Sequence, residues 1–544
     1  MMDRMSSRPS APLAPSAPSA EAARWHEQCW RALSSRDARF DGRFFTGVTS
    51  TGVYCRPVCA VRTPRRENCQ FYATAAHAEQ AGFRPCLRCR PELAPAAQWW
   101  SATDAASVLV REALRRLQPQ VRGTEDGAVV QVLARRLGVT DRHLRRVFQQ
   151  QLGVTPQQVW QTRRLLAAKQ LLTDTTLPVH EVASASGFGS ARRLQAAFAT
   201  HYGLEPTALR RQSQRADDAL KPALRPVRLG YRPPLDADAL LAFGAQRQLP
   251  GLEQVDTAER TMRRVVRAHG PQGRCAPGWI EAVFDPLHPV VCVRLSDSLL
   301  PELPAWLARV RHWLDLDADP AAIHAVLGRD FPAAEGLRVP GTTDGFELAV
   351  RAVLGQQVSV AAARTLAGRV LDAWGEPVST PWPALHRAFP SAAVLARVPA
   401  EALGALGIVR QRQQALLALA QQVDAGLLDL SPEADVEATR ARLCSLPGIG
   451  AWTADYIALR ALRWPDAFPA ADVALHQALG IARGSGAARA ATARAEPWRP
   501  WRGYALLRAW AGHYQPPGTP GALADGDATP PAADTAATAA PDLL

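Results

Sequence analysis

Hydrophobic positions change their period along the chain, and the changes divide it into segments. Residues 101–215 carry apolar residues three and four positions apart, a pattern that predicts amphipathic helices. Residues 227–300 contain apolar or alternating stretches at 279–284 and 290–295, which are typical of strands. Residues 301–515 return to the helical pattern, with short Gly/Pro breaks. The chain of 544 residues is therefore predicted to be multidomain and mainly α, with three or four domains.

Both ends of the chain have a composition that differs from the rest. Residues 1–22 are rich in Pro, Ser and Ala, and residues 516–544 form an acidic tail without Lys or Arg. Such segments bury too little apolar surface to fold, so both are predicted to be disordered. The N-terminus lacks the apolar region of a secretory signal, and no run of about 18 apolar residues predicts a membrane span.

The net charge of +13 and the pI of about 9.8 favour a polyanionic partner such as nucleic acid. A basic protein without such a partner remains an alternative. Without a signal or a membrane span, the chain is expected to be cytoplasmic, associated with the nucleoid and monomeric.

Six of the nine cysteines lie in residues 23–95. Four of them form a C-x3-C and a C-x2-C pair that are separated by 26 residues. Two close pairs of thiolates suit tetrahedral zinc, so the sequence predicts a small α/β domain with one Zn²⁺ site. The predicted ligands are Cys55, Cys59, Cys86 and Cys89.

This segment resembles the N-terminal domain of the Ada methyltransferase regulator through TGVYCRPVC, RRENCQFY and AGFRPCLRC. The resemblance implies that the zinc-bound thiolate of Cys55 accepts a methyl group from a methyl phosphotriester in DNA. Zinc keeps a thiol deprotonated, and methylation removes one negative charge, so the modified site repels DNA phosphates less. A zinc ion that only stabilises the fold is the alternative.

Residues 137–156 and 187–206 repeat each other at an offset of 50, with coincident Leu, Phe, Gly and Pro positions. An internal repeat indicates two copies of one structural unit. Each copy reads as helix, turn and helix, and Thr140 and Ser190 are the predicted N-caps of the second helices.

The repeat resembles the AraC-type DNA-binding domain, which implies an all-α double helix-turn-helix over residues 101–215. Two recognition helices would enter successive major grooves of double-stranded DNA, and an activator of this type would contact RNA polymerase. A helical bundle with a solvated basic face is the alternative. The outward-facing candidates for DNA contact are Arg142, Arg145, Arg146, Arg192 and Arg193.

The motif LPGIG, residues 446–450, lies between two predicted helices at 435–443 and 452–462. Gly448 and Gly450 allow the backbone to approach DNA closely, and amides at a helix N-terminus bind phosphate. Asp472 follows Gly450 by 22 residues, within the Pro-bearing stretch DAFPAADVALHQ.

This region resembles the 3-methyladenine DNA glycosylase II family (AlkA type) from about residue 230 to 514. The resemblance implies a β-rich α+β subdomain over 227–300 and an all-α helix-hairpin-helix glycosylase over 301–515. The substrate would be alkylated DNA, with Asp472 as the catalytic residue and Gln357 at the position where the family often has a leucine wedge. The family's aromatic pocket positions are Trp452, Tyr456 and Trp510.

An alkylated purine such as 3-methyladenine is cationic and leaves easily. The enzyme must therefore stabilise the oxocarbenium character of the sugar, which a nearby carboxylate does electrostatically. Asp472 as an ordinary N-cap and the three aromatic residues as core residues are the alternatives.

Two absences narrow the expected chemistry. No lysine follows Lys221, so Schiff-base strand cleavage by this region is not expected. No cysteine follows Cys444, so no iron–sulfur cluster is expected. The favoured interpretation joins a monofunctional glycosylase to a transcriptional activator that senses methyl phosphotriesters. A transcription regulator with an inactive glycosylase domain is the alternative.

Overall fold

The structure, a computed structural model, describes residues 20–96, 105–117, 128–175, 177–215, 226–269 and 275–515. The first helix begins at Ala20, so the last three residues of segment 1–22 are helical. The rest of that segment and the tail at 516–544 lie outside the described residues. Among the residues that the structure describes, no helix combines the length and apolar character needed to cross a membrane.

The cysteine-rich unit is a small four-stranded sheet with two helices. The strands lie in the order β3-β1-β2-β4, antiparallel except for the parallel pair β2–β4. Its elements are α1 (Ala20–Ser34), β1 (Phe45–Val48), β2 (Val53–Cys55), β3 (Cys69–Tyr72), α2 (Ala75–Gln80) and β4 (Arg84–Pro85).

The repeated region is all-α, as predicted. Thr140 and Ser190 cap α5 and α8 by accepting the amides of His143 and Arg193, which confirms both predicted N-caps. Its helices are α3 (Ala105–Arg116), α4 (Ala128–Arg136), α5 (Asp141–Leu152), α6 (Pro156–Asp174), α7 (Val179–Ala185), α8 (Ala191–Tyr202) and α9 (Pro206–Arg215).

An antiparallel five-stranded sheet follows, in the order β5-β9-β8-β7-β6. The strands predicted at 279–284 and 290–295 are confirmed, and alternate residues of β9 are buried against the core. The elements are β5 (Val227–Gly230), α10 (Ala237–Arg247), β6 (Glu253–Asp256), β7 (Thr261–His269), β8 (Cys275–Phe284) and β9 (Val290–Leu295).

The remainder is helical apart from a two-residue ladder of β10 (Glu376–Pro377) and β11 (Arg387–Ala388), in a stretch where Gly375 and Pro377 interrupt the helical pattern. The helices are α11 (Leu303–Trp313), α12 (Pro320–Leu327), α13 (Gly345–Leu354), α14 (Val360–Trp374), α15 (Ala392–Leu395), α16 (Ala400–Ala405), α17 (Arg410–Asp424), α18 (Val436–Cys444), α19 (Ala451–Arg460), α20 (Val473–Ala478), α21 (Ala487–Ala495) and α22 (Arg502–Trp510).

One hydrophobic core crosses the boundaries between these units. Leu93 from the cysteine-rich unit packs in the same cluster as Phe198 of α8, Val293 of β9 and Trp306 of α11. Apolar surface from all three units is therefore removed from water together, which favours their association.

Candidate active site and zinc centre

The four predicted zinc ligands come together where β2 ends. Their Sγ atoms all lie within 4.8 Å of one another. A tetrahedral zinc ion with Zn–S bonds of about 2.3 Å needs sulfur atoms roughly 3.8 Å apart, so the donor set fits the metal. Cys55, Cys59 and Cys86 are buried and Cys89 is half-buried, as expected of a structural or reactive zinc–thiolate centre.

Arg56 supports this centre from the next position in the chain. Its backbone amide donates to the Sγ of Cys89 at 3.3 Å, and its guanidinium donates to the carbonyl of Cys89 at 3.0 Å. The same guanidinium pairs with the buried carboxylate of Asp41, with 2.9 Å between Nε and Oδ1. Burial is the largest influence and opposes the charge of Arg56, but the hydrogen bond to Asp41 and the negative charges nearby together outweigh burial and raise the pKa of the guanidinium.

Glu79 of α2 links the cysteine-rich unit to the repeated helices, a role that the sequence did not indicate. Its carboxylate accepts from the hydroxyls of Tyr54 (3.0 Å), Tyr202 (3.1 Å) and Thr162 (2.6 Å). Burial raises the pKa of Glu79 to about 7, against the effect of the three donors. Since Tyr54 precedes Cys55, one carboxylate joins the zinc centre to α6 and α8.

The candidate DNA-contacting arginines are exposed on α5 and α8. Arg142 and Arg192 occupy the second position of their helices, the end from which recognition helices reach base edges. Arg145 pairs with Asp141 at 3.1 Å, one turn earlier on α5. The exposed positions are thus consistent with the predicted DNA-binding faces.

The hairpin at 446–450 joins α18 to α19, as the motif predicted. Gly448 has φ +75°, a conformation that favours glycine, whereas Gly450 is extended and is the N-cap of α19. No side chain among the described residues caps α19, so its first amides can bind an anion.

Gln356, which the sequence did not single out, ties the neighbouring loop to this hairpin. Its Nε2 donates to the carbonyl of Gly448 at 2.9 Å and to the hydroxyl of Thr453 at 3.0 Å. The adjacent Gln357 is exposed at φ +54°, between α13 and α14. The candidate wedge and the candidate phosphate-binding hairpin are therefore held beside each other.

Asp472 is the N-cap of α20 and is 8% exposed. Its Oδ1 accepts from the amide of Leu475 at 2.7 Å and from the indole N–H of Trp510 at 2.9 Å. Its Oδ2 accepts from the indole N–H of Trp452 at 2.8 Å. Trp452 and Trp510 were predicted as pocket aromatics, and the structure adds that both bind the candidate catalytic carboxylate.

Trp452 also lines a cleft formed by residues of α10, α14 and α19. The ring of Trp452 stacks on Tyr456, with centroids 5.4 Å apart and planes 9° from parallel. Arg247 lies 3.8 Å from the ring centroid of Phe243, and Arg460 lies 4.9 Å from the same ring. The cleft is thus lined by aromatic rings, as expected for a site that binds a flat base.

The phenol of Tyr456 lies deep in this cleft. Arg460 donates to its hydroxyl at 2.6 Å. Burial opposes ionisation, but the positive charges of Arg460 and Arg247 outweigh it and lower the pKa of Tyr456. Phe243 and Arg247 carried no signal in the sequence, because the apolar pattern of α10 reads as ordinary core.

Four family models match successive parts of the chain. They are the metal binding domain of Ada at residues 28–92, a helix-turn-helix domain at 133–212, the AlkA N-terminal domain at 226–344, and the HhH-GPD superfamily base excision DNA repair protein at 350–502. The exact domain boundaries given above remain predictions.

One similarity extends over nearly the whole chain. The "probable bifunctional transcriptional activator/DNA repair enzyme AlkA" of Mycobacterium tuberculosis is 39% identical over 492 residues, which cover 89% of this chain and 96% of that protein. The chain belongs to this family of bifunctional AlkA proteins. It therefore joins a helix-hairpin-helix DNA glycosylase to a DNA-binding transcriptional regulator with one zinc site, which confirms the predicted fusion.

The two halves of this bifunctional AlkA protein also match separate relatives in Escherichia coli. DNA-3-methyladenine glycosylase 2 is 36% identical over 283 residues, 52% of this chain and 95% of that protein. The bifunctional transcriptional activator/DNA repair enzyme Ada is 39% identical over 142 residues, 26% of this chain and 37% of that protein.

Proposed function

We propose that the glycosylase half hydrolyses the N-glycosidic bond of alkylated purines such as 3-methyladenine, with Asp472 as the catalytic residue. The observation that carries this proposal is the carboxylate of Asp472, held by three N–H donors beside the helix-hairpin-helix. The similarity to DNA-3-methyladenine glycosylase 2 supports the substrate class.

In the proposed reaction, the bond between C1′ and the base nitrogen breaks and its electron pair leaves with the cationic base, which becomes neutral. The carboxylate of Asp472 stabilises the positive charge that develops on the sugar. Water then adds its oxygen to C1′ and loses a proton. Because the carboxylate already accepts three hydrogen bonds, its main contribution is a fixed negative charge.

The surrounding residues fit the other needs of this reaction. The damaged base must leave the duplex, and the exposed side chain of Gln357 would fill the gap. The amides that follow Gly448 and Gly450 would bind a backbone phosphate. The stacked rings of Trp452 and Tyr456 would bind the base by stacking and cation–π attraction.

We propose that the zinc centre also has a chemical role. The Sγ of Cys55 would attack the methyl carbon of a methyl phosphotriester, forming a thioether while the methyl–oxygen bond breaks and a phosphodiester leaves. A zinc ion held by the four cysteines supplies the deprotonated thiol. The loss of one negative charge then raises affinity for DNA, and the proposed DNA contacts are Arg142, Arg145, Arg146, Arg192 and Arg193.

We also propose that the protein acts as a monomer and that, as a transcriptional activator, it contacts RNA polymerase.

The base-excision proposal is tested by release of 3-methyladenine from methylated duplex DNA. Asp472→Asn keeps a side chain that caps α20, so the fold should persist while release falls by about 10²-fold or more. Asp435→Asn is the matched control, since Asp435 caps α18 in the same way with 2.9 Å to the amide of Ala438. If the wild type releases no base, the chain is a regulator with an inactive glycosylase.

The methyl-transfer proposal is tested with DNA that carries labelled methyl phosphotriesters. Wild type should become labelled, and Cys55→Ala should not, while metal analysis shows that zinc remains. Cys29→Ala is the control, because Cys29 is buried outside the cluster. Absence of label in the wild type would instead assign the zinc a purely structural role.

A further inference from the structure

Arg232, just after β5 of the glycosylase, is buried against the cysteine-rich unit. It is 1% exposed, and the five hydrogen bonds that its guanidinium donates within the described residues go to backbone carbonyls. The acceptors on the cysteine-rich side are Asp41 (3.1 Å), Pro95 (3.4 Å) and Ala96 (2.8 Å), and those on the glycosylase side are Asp317 (2.8 Å) and Ala318 (3.4 Å).

A second buried arginine crosses the same boundary. Arg311 of α11 donates to the carbonyl of Leu93 at 2.5 Å, to that of Gly230 at 3.2 Å, and to the carboxylate of Asp317 at 2.9 Å. That carboxylate also accepts the amide of Ala96 at 2.9 Å. The glycosylase therefore supplies a guanidinium and a carboxylate to the cysteine-rich unit, which supplies a carbonyl and an amide in return.

The contacts continue to the zinc centre through Asp41. Its carbonyl accepts from Arg232, while its carboxylate binds Arg56, which in turn donates to Cys89. Strand β5 packs directly against Arg56. A Cβ added at Gly230 of this strand would lie 2.7 Å from a guanidinium nitrogen of Arg56.

A guanidinium is stable in a dry interior only while its N–H groups are bound, because an unpaired buried charge is strongly disfavoured. Three of the five acceptors of Arg232 belong to the segments that flank the cysteine cluster. If those segments loosen, Arg232 loses these partners and water must enter the interface. The hydrophobic core that includes Leu93, Val293 and Trp306 would open at the same place.

We propose that the zinc centre is a structural support of the glycosylase in the same chain. Loss of the metal would loosen β5 and residues 311–318 through Arg56, Asp41 and Arg232, and base excision would weaken as a result. The last consequence rests on the proposed base excision, whereas the loosening does not.

Amide hydrogen exchange of the full chain tests the loosening directly. With zinc bound, residues 227–232 and 311–318 should be protected. Removal of zinc with a strong chelator should accelerate their exchange by about tenfold, while residues 436–460 around the hairpin change less. Base release by the same two samples is measured in parallel, and should fall in the metal-free sample. Faster exchange with no base release by either sample would keep this inference and reject the proposed glycosylase activity.

Variants show whether Arg232 transmits the effect. In Arg232→Met, the amides of residues 227–232 should exchange quickly even with zinc bound. Removal of zinc from this variant should then increase their exchange rate only slightly. Arg228→Met, a change at an exposed position on β5, should behave as wild type. If Arg232→Met does not fold, Arg43→Met serves instead, because Arg43 pairs with Asp319 across the boundary and is one-third exposed.

Unchanged exchange at 227–232 and 311–318 after zinc removal from the wild type would overturn the proposal. An equal response to chelation in the wild type and in the interface variant would overturn it as well, because the effect would then bypass this contact.

Discussion

The two indoles that bind Asp472 allow a sharp test of how the carboxylate works. Trp510→Phe removes the donor at 2.9 Å from Oδ1 but keeps an aromatic ring. The amide of Leu475 and the indole of Trp452 still bind the carboxylate, so α20 remains capped. The variant therefore changes the orientation of the charge more than the fold or the pocket.

A hydrogen bond to a charged group contributes about 1.5–3 kcal/mol. If the transition state depends on that bond through the position of the carboxylate, each 1.36 kcal/mol lost slows the reaction about tenfold. We therefore expect kcat to fall about 10- to 100-fold, with KM changed by less than about threefold because the ring faces remain.

The assay is steady-state release of 3-methyladenine from methylated duplex DNA, which gives kcat and KM, with DNA binding measured separately. Trp498→Phe is the matched control, because it removes an indole bond to another carboxylate, that of Asp330 at 2.6 Å, away from Asp472. An equal loss of kcat in both variants would mean that the effect is one of stability. A Trp510→Phe enzyme within twofold of wild type would refute the role of the indole in positioning the charge.

Three further outcomes follow from individual residues. Burial raises the pKa of Glu79 to about 7 in the folded protein, so the carboxyl must lose its proton at a cost as the pH rises. The free energy of unfolding should therefore fall by up to about 3 kcal/mol as the pH rises from about 5 to 7. In thermal unfolding at a series of pH values, Glu79→Gln should show a weaker dependence on pH. Gly448 has φ +75°, so Gly448→Ala should destabilise the hairpin by about 1–2 kcal/mol and weaken DNA binding in a titration. Gly450 is extended and a Cβ added there meets nothing within 4 Å, so the control Gly450→Ala should be as stable as wild type. If Arg142 contacts a base edge, Arg142→Ala should weaken binding to the promoter by about 1–3 kcal/mol in a gel-shift assay. Arg135 is exposed on the preceding helix, so the control Arg135→Ala should leave the sequence preference unchanged.

Local rules were enough to predict the elements and much of the candidate site. Thr140 and Ser190 are N-caps because a side-chain oxygen before a helical pattern satisfies orphan amides, and that requirement is local. Gly448 and the four cysteines were predictable for the same reason. A turn that favours glycine and a close pair of thiolates each depend on residues that are near one another in the sequence.

The functions of single side chains were harder to predict when their partners are distant in the chain. The family resemblance pointed to Trp452 and Tyr456 as pocket positions, but it did not show that the indole N–H of Trp452 points to a carboxylate 20 residues later. Phe243 and Arg247 reach the same cleft from a helix about 200 residues earlier, and their sequence pattern is that of any amphipathic helix.

Arg232 marks the limit of what a sequence pattern can reveal, and the reason is energetic. In a basic chain, an arginine after a strand reads as a solvated charge, since burial of an unpaired guanidinium is strongly disfavoured. That cost is offset only when carbonyl groups from positions 41, 95–96 and 317–318 meet around one side chain. None of those carbonyls belongs to a distinctive residue type, because every residue has one. The contact therefore becomes visible only in the folded chain, where it makes the cysteine-rich unit and the glycosylase depend on each other.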